Sequence, residues 1–177
     1  SGSRGSSRRC RSAACSSGEE VYSLLITVLE TLGPAAPEWD IRILGTDIST
    51  RVLALARQAR YSELRVNSIR GDYKTRYFEK IRSRDGVWYT VRPQYRSMVS
   101  FARLNLMERP FPLKNPADVI FCRNVMIYFD RDVQRQLVAE LYRHLRPDGY
   151  LFIGHSEGLL GIHQGFNRVA PAVFRKV

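Results

Sequence analysis

Several groups of residues in this sequence have types and spacing that suit chemistry on a nucleoside-like ligand. Ala13-Ala14-Cys15-Ser16-Ser17-Gly18-Glu19-Glu20 sets small residues and a glycine ahead of two carboxylates. Small side chains let a ligand approach the backbone, and a helix opening there offers unpaired N–H groups. The two carboxylates would repel a phosphate and suit a positive group, unless they only complement the helix dipole. Asp47 follows Ile41-Arg42-Ile43-Leu44-Gly45-Thr46, where nucleotide-binding α/β folds place an acid that accepts from ribose hydroxyls. A turn or capping aspartate is the plainer reading. Asn105 suits an adenine edge or closes a turn, and Arg123-Asn124 leads into the apolar, aromatic Val125-Met126-Ile127-Tyr128-Phe129, expected to line a pocket floor or pack inward. In this order the groups suit a nucleoside with a cationic tail, and S-adenosylmethionine is such a ligand. GxGxxG is absent, which counts against a dinucleotide or FAD.

The elements that must position these residues follow from periodicity. Val21, Leu24, Leu25, Val28, Leu29 and Leu32 fall on one helix face that Gly33-Pro34 stops. Arg9–Cys15 is expected as a first strand and Ile41–Leu44 as the core of a second, with Ser49 capping a helix to about Ala59. A helical stretch is expected around Tyr73–Ile81. Arg84-Asp85-Gly86 followed by Val87-Trp88-Tyr89-Thr90-Val91 reads as a hairpin, so residues 61–97 are an expected inserted β-subdomain with Trp88 and nearby tyrosines in its core. Val99–Leu106 and Ala117–Cys122 read as strands, the latter buried on both faces. Asp130 is an expected N-cap for a helix presenting Val133, Leu137, Val138, Leu141 and Leu145, ended by Arg146-Pro147-Asp148-Gly149. Tyr150–Gly154 is the next expected strand, and Gly165–Val169 with Ala172–Arg175 a terminal antiparallel hairpin. Alternating strands and helices predict a mostly parallel α/β sheet with its ligand at the carboxyl ends of the strands.

The chain has 177 residues, 44% hydrophobic and 11% aromatic, which excludes disorder as the default and fits one domain. Residues 1–8 read as a tag remnant or linker before a domain at 9–177, with something upstream missing. No apolar run is long enough to span a bilayer. Cys10, Cys15 and Cys122 lack metal or disulfide spacing and fit a reducing cytosol, so the expected location is cytoplasmic, with no metal and no membrane insertion. Net charge is +11. Arg51 to Arg109 holds 14 basic residues against five acidic, an excess suited to an anionic partner: nucleic acid, acidic lipid or an acidic protein surface.

Ser12–Glu20, Gly45-Thr46-Asp47-Ile48-Ser49, Phe121–Phe129 and Gly154-His155-Ser156-Glu157 together resemble the CheR-type chemotaxis receptor methyltransferases, in order and over nearly the whole chain. The resemblance implies a Rossmann-like class I methyltransferase sheet carrying the inserted β-subdomain. It implies methyl transfer from S-adenosylmethionine to glutamate carboxylates of chemoreceptors, leaving S-adenosylhomocysteine. By the same resemblance Glu20, Asp47, Asn105, Leu106, Arg123 and Asn124 contact the cofactor, and Tyr128 stands near the transferring methyl. The insertion would contact the cytoplasmic signalling domain of the receptor, with the protein a monomer. Val21 stands where the family usually has proline, and nothing before Arg9 resembles the family's N-terminal helical domain.

A sulfonium is already activated, and a glutamate with reference pKa about 4.3 is ionised at neutral pH, so no general base is required and catalysis reduces to positioning. Tyr128 is expected to orient the reacting groups and a nearby arginine to hold the acceptor carboxylate. Arg123 has a competing role as partner of Asp118 or Asp130, and His155 with Glu157 is expected to form a hydrogen-bonded turn. Two other functions remain open: a nucleic-acid methyltransferase, although Arg123-Asn124-Val125 is not the Asn/Asp-Pro-Pro-aromatic motif of amino-methylating members, and an S-adenosylmethionine-binding signalling module without activity.

Overall fold

A computed structural model describes residues 7–159 and 161–177. Along the chain run β1 (Ser7–Ala13), α1 (Glu19–Leu32), β2 (Asp40–Asp47), α2 (Thr50–Gln58), β3 (Arg60–Ser62), α3 (Glu63–Val66), α4 (Gly71–Tyr77), β4 (Phe78–Ser83) and β5 (Gly86–Val91). Then follow α5 (Pro93–Arg96), β6 (Val99–Arg103), β7 (Ala117–Cys122), α6 (Arg131–Arg143), β8 (Leu145–Ile153), β9 (Phe166–Ala170) and β10 (Val173–Lys176). The main sheet has the order β6-β2-β1-β7-β8-β10-β9. Pairing is parallel from β6 through β8, and β10 runs antiparallel to both β8 and β9. The expected mostly parallel sheet with an antiparallel end is therefore present.

β1 sits centrally between β2 and β7 and buries its last four residues, Arg11 and Ser12 among them. Cys10 and Ala13 are buried, and Ser12 is wholly so. Side chains alternate across the sheet. One buried cluster gathers Ile120, Cys122, Leu151 and Ile153 with Leu137, Val138 and Leu141 of α6. The other gathers Cys10, Ile41 and Ile43 with Val21, Leu25 and Leu29 of α1. The predicted caps form: Ser49 Oγ accepts from Val52 N at 3.4 Å, and Asp130 Oδ1 accepts from Val133 N at 2.9 Å.

The insertion is a three-stranded sheet in the order β3-β5-β4, antiparallel throughout, with β3 starting at Arg60 and β5 ending at Val91. It shares a core with α1 through Tyr61, Val66, Tyr77, Phe78, Tyr89 and Val91. Tyr61 Oη donates to Ser17 O at 3.0 Å, and Tyr77 Oη and Arg76 both donate to Glu30 of α1. The subdomain is thereby fixed beside the β1–α1 loop.

Several boundaries differ from expectation. Ser7 and Arg8 belong to β1, so the expected tag remnant or linker does not extend to residue 8, and residues 1–6 lie outside the described residues. The helical stretch near Tyr73–Ile81 ends at Tyr77, because from Phe78 the chain pairs with β5. β6 stops at Arg103, since Leu104–Leu106 turn inward and Leu104 and Leu106 are buried. Arg146-Pro147-Asp148-Gly149 does not break the chain between two elements. It lies inside β8, where Asp148 takes φ 62° and the β7–β8 register shifts between Ala117 and Val119.

Glu140 of α6 is a buried carboxylate that accepts from Phe111 N at 2.8 Å, Arg143 Nη1 at 3.0 Å and His144 Nε2 at 3.2 Å. Burial alone would raise its pKa, but the Phe111 N–H and the two basic neighbours outweigh it and hold the carboxyl below its ordinary value. A depressed folded-state pKa contributes stability that is fully present above the unfolded value of about 4.3 and is lost as pH falls through the folded value. Denaturant melts should therefore show wild type losing stability more steeply than Glu140→Gln below about pH 4.3; parallel pH profiles would contradict the assignment. In the same melts at pH 7, Ile120→Ala should cost about 2–5 kcal/mol for its cavity, and Asp130→Ala about 1 kcal/mol for its lost cap.

Candidate functional site

The carboxyl ends of β1, β2 and β7 meet at one edge of the sheet, where strand order switches direction on either side of β1. In such sheets that crevice is where ligands bind. The loop after β1 turns tightly: Ala14, Ser16 and Gly18 have φ of 58°, 50° and 89°. Gly18 is required there, because beyond its φ a Cβ would lie 3.0 Å from Ala56 Cβ. Cys15 N donates to Thr46 O and Ser16 N donates to Asp47 Oδ2, both at 2.9 Å, so the loop is pinned to the end of β2.

Glu20 reaches back over this loop. Its Oε1 accepts from the buried Ser12 Oγ at 2.7 Å and its Oε2 from Arg123 Nη1 at 3.2 Å. Arg123 is therefore paired with Glu20, not with Asp118 or Asp130: Asp118 binds Arg8 and Arg146, and Asp130 caps α6. Glu19 accepts from Ser17 Oγ and from Arg65 of the insertion, so its part is local. The second oxygen of Asp47 accepts from Ser49 N at 2.9 Å, which makes Asp47 a turn-former as well as an exposed-edge carboxylate. Asn105 closes a turn, accepting from Met107 N and donating to Glu108, each at 3.0 Å. Leu106 is buried in the core, so it offers the crevice only its backbone.

The Phe121–Phe129 segment departs from expectation. Met126 is buried, but Ile127 and Tyr128 are 51% and 79% exposed. A short 3-10 turn, Met126–Tyr128, rotates both outward at the sheet edge, so Tyr128 is neither a core tyrosine nor a pocket floor. Asn124 takes φ 58°. Glu157, expected in a turn, does more than close one. Its carboxylate accepts from the backbone N–H groups of Gly154, Asn124, Val125 and Met126, the last two at 3.1 and 2.8 Å. Gly154 leaves it room: a Cβ there would meet Glu157 Oε2 at 2.7 Å and Asn124 Oδ1 at 2.6 Å. Ser12 and this clamp were not singled out from the sequence as site-builders. Their signal was present only as a polar residue in an apolar strand and as the Gly154–Glu157 motif.

Thiol chemistry does not fit this site. Burial, with Asp47 nearby, pushes the Cys15 thiol up to about 12, and burial raises Cys122 further, so both stay protonated. The residues gathered at the strand ends are carboxylates, amides, an arginine and an exposed tyrosine. They suit binding and positioning of a cationic nucleoside, and Glu20 and Asp47 have lone pairs left after their internal bonds.

The sequence model of the CheR methyltransferase SAM-binding domain matches residues 2–174. This chain belongs to that family. It is 37% identical over 174 residues to the chemotaxis protein methyltransferase of Borreliella burgdorferi, covering 98% of this chain and 60% of that protein. It is 37% identical to that of Escherichia coli over 94% of this chain and 57% of the relative, and 40% identical to chemotaxis protein methyltransferase 2 of Pseudomonas aeruginosa over 94% and 59%. The chain thus spans about three fifths of the length of these relatives. Solved structures resemble it more distantly: the glycopeptide N-methyltransferase MtfA is 16% identical at a TM-score of 0.49, over 82% of this chain and 45% of that one.

Glu157→Ala should leave several N–H groups after β7 without their acceptor and lower unfolding stability by about 2 kcal/mol. Amide exchange at Asn124, Val125 and Met126 should quicken with it. Unchanged protection at those amides would remove the clamp assignment.

Proposed function

We propose that this chain is the catalytic domain of an S-adenosylmethionine-dependent methyltransferase that esterifies glutamate side chains of chemoreceptors during chemosensory adaptation. The observation that carries the reading is the ion pair of Glu20 at the start of α1 with Arg123 after β7, which ties the ends of β1 and β7 together beside the glycine-containing loop. Family membership gives that arrangement its ligand class. The residues fit the cofactor by their hydrogen-bonding chemistry: two carboxylates to accept from hydroxyl and ammonium groups, a tight small-residue loop for close approach, and backbone at Asn105-Leu106 for a base edge.

When bound, S-adenosylmethionine supplies a methyl group already activated on a sulfonium. The protein's own part is to bind and orient. Asp47, fixed by Ser16 and Ser49 N–H groups, presents a carboxylate of set direction to a ribose diol. Glu20 is held by Ser12 and Arg123, so its residual acceptor capacity faces a cationic tail. Asn124 and Arg123 form the adjoining wall. Tyr128 stands out from the sheet edge, where its hydroxyl can orient an acceptor carboxylate that is already ionised. No proton needs to leave the acceptor, so the chemistry asks for no acid–base pair. Asn105 and Leu106 act through backbone and turn shape.

The receptor-facing surface in this reading is the insertion at residues 61–97, and the partner is the cytoplasmic signalling domain of a chemoreceptor. Much of its positive charge is engaged within the chain: Arg65 with Glu19, Arg76 with Glu30, Arg70 with Asp72, Lys80 with Glu63 and Arg92 with Glu79. The excess that remains suits an acidic receptor surface, so nucleic acid is not needed to account for it. Three buried, unpaired cysteines favour action in the reducing cytoplasm. Among the described residues no helix is long and apolar enough to cross a membrane.

Incubation with labelled S-adenosylmethionine and receptor-bearing membranes should give label released as methanol by alkali. Alkali-stable label would sink the ester reading, and label on nucleic acid would replace the substrate. In the same assay Tyr128→Phe should lower kcat about tenfold or more while S-adenosylhomocysteine affinity is kept. Glu20→Gln should weaken that affinity about tenfold by calorimetry, with little change in thermal stability.

A further inference from the structure

Beside the turn that carries Tyr128 lies a cleft of about 440 Å³. Its walls are Met126 and Ile127 of the 3-10 turn, Arg131 and Gln134 of α6, and Ser156 with Glu157 of the turn after β8. The charges around it are unequal in their commitments. Glu157 accepts from four backbone N–H groups, which occupy its two oxygens. The Gln134 amide nitrogen donates to Met126 O and Phe129 O at 2.9 and 3.0 Å. Arg123 is held by Glu20, and Arg135 by Asp132. Among the described residues Arg131 has no such carboxylate partner, although it lies at the first position of a helix whose N-terminus already favours anions. The cleft therefore offers a free guanidinium and the Ser156 hydroxyl on a wall whose own carboxylate is already occupied.

We propose that this cleft binds an acidic side chain of the acceptor segment, next to the glutamate that is methylated, with Arg131 as its counter-ion and Ser156 as a second donor. The proposal rests on the methyl-transfer reading and deepens it, since it names what flanks the acceptor. Charge favours a carboxylate over an apolar anchor: Arg131 and Ser156 supply the donors, and the half-exposed Ile127 supplies apolar surface for the side chain's methylene groups. A side chain seated there would fix the acceptor segment one step from Tyr128. This contact needs no ordering of Arg123, so cofactor binding and acceptor reading are assigned to different arginines.

The test is a two-by-two comparison in fluorescence anisotropy. A labelled acceptor peptide with acidic residues beside a central glutamate, and the same peptide with those neighbours changed to glutamine, are titrated with wild type and with Arg131→Ala. All titrations contain S-adenosylhomocysteine. Wild type should bind the acidic peptide roughly five- to tenfold tighter than the neutral one, and Arg131→Ala should lose that preference. Arg131→Lys should recover part of it. Arg168→Ala, which removes the same charge from the terminal hairpin, should keep the full preference. Equal preference in wild type and Arg131→Ala overturns the cleft assignment, and so does its loss in Arg168→Ala, which would mark a net-charge effect. Arg131-dependent binding with no alkali-labile label on any peptide would instead overturn the methyl-transfer reading while leaving the cleft as an acid-binding site.

Discussion

A parallel sheet forces every strand to be re-entered from the same end, so the carboxyl ends of β6, β2, β1, β7 and β8 all lie along one edge. Everything distinctive about this chain follows from that crowding. Five loops turn within a short span, and each brings backbone N–H groups that no strand partner satisfies. The solution repeated here is a carboxylate near one strand end bound to donors near another: Asp47 to Ser16, Glu20 to Ser12 and Arg123, and Glu157 to the segment after β7. The strand ends are thus joined to one another as well as to their own helices.

The three acids differ in how much capacity remains for a ligand. Glu157 is engaged at both oxygens by four N–H groups and acts as a fixed brace. Glu20 makes one short bond and one exposed ion pair, which is worth little alone in water. It is held in direction yet can exchange its arginine for a ligand cation at modest cost. Asp47 lies between these cases. A site built in this manner is preorganised without burying an uncompensated charge, which would cost far more than an exposed carboxylate does.

The insertion shows the same economy at larger scale. Its strands are short and its sheet small, and a sheet of that size needs a buried apolar face or a helix to pack against. It is stabilised by sharing the α1 core through Tyr61, Tyr77 and Phe78, and by polar ties from Tyr61 to Ser17 and from Tyr77 and Arg76 to Glu30. Its position follows from α1, and α1 also carries Glu20. The surface assigned to the receptor and the loop assigned to the cofactor are therefore fixed by one helix.

Local pattern was enough for much of this. The apolar stripe of α1, the caps at Ser49 and Asp130, the hairpin at Asp85-Gly86 and the buried β7 were legible because each depends on neighbours three or four residues away, or on one turn. The small-residue loop, Asp47 and Arg123-Asn124 likewise stand out in sequence, and the fold brings them to one edge of the sheet. What the sequence could not decide was pairing across distance. Arg123 meets Glu20 across 103 positions, and Glu157 meets Met126 across 31, because β7 happens to lie between β1 and β8. Tyr128 reads as apolar and inward in sequence, yet the 3-10 turn at the end of β7 points it outward. Arg146-Pro147-Asp148-Gly149 reads as a stop, yet a shifted register lets β8 run through it. Periodicity is set by the chain's own geometry and survives in one dimension. Register, strand order and the direction of a loop side chain are set by which surfaces bury together, and that exists only in the folded chain.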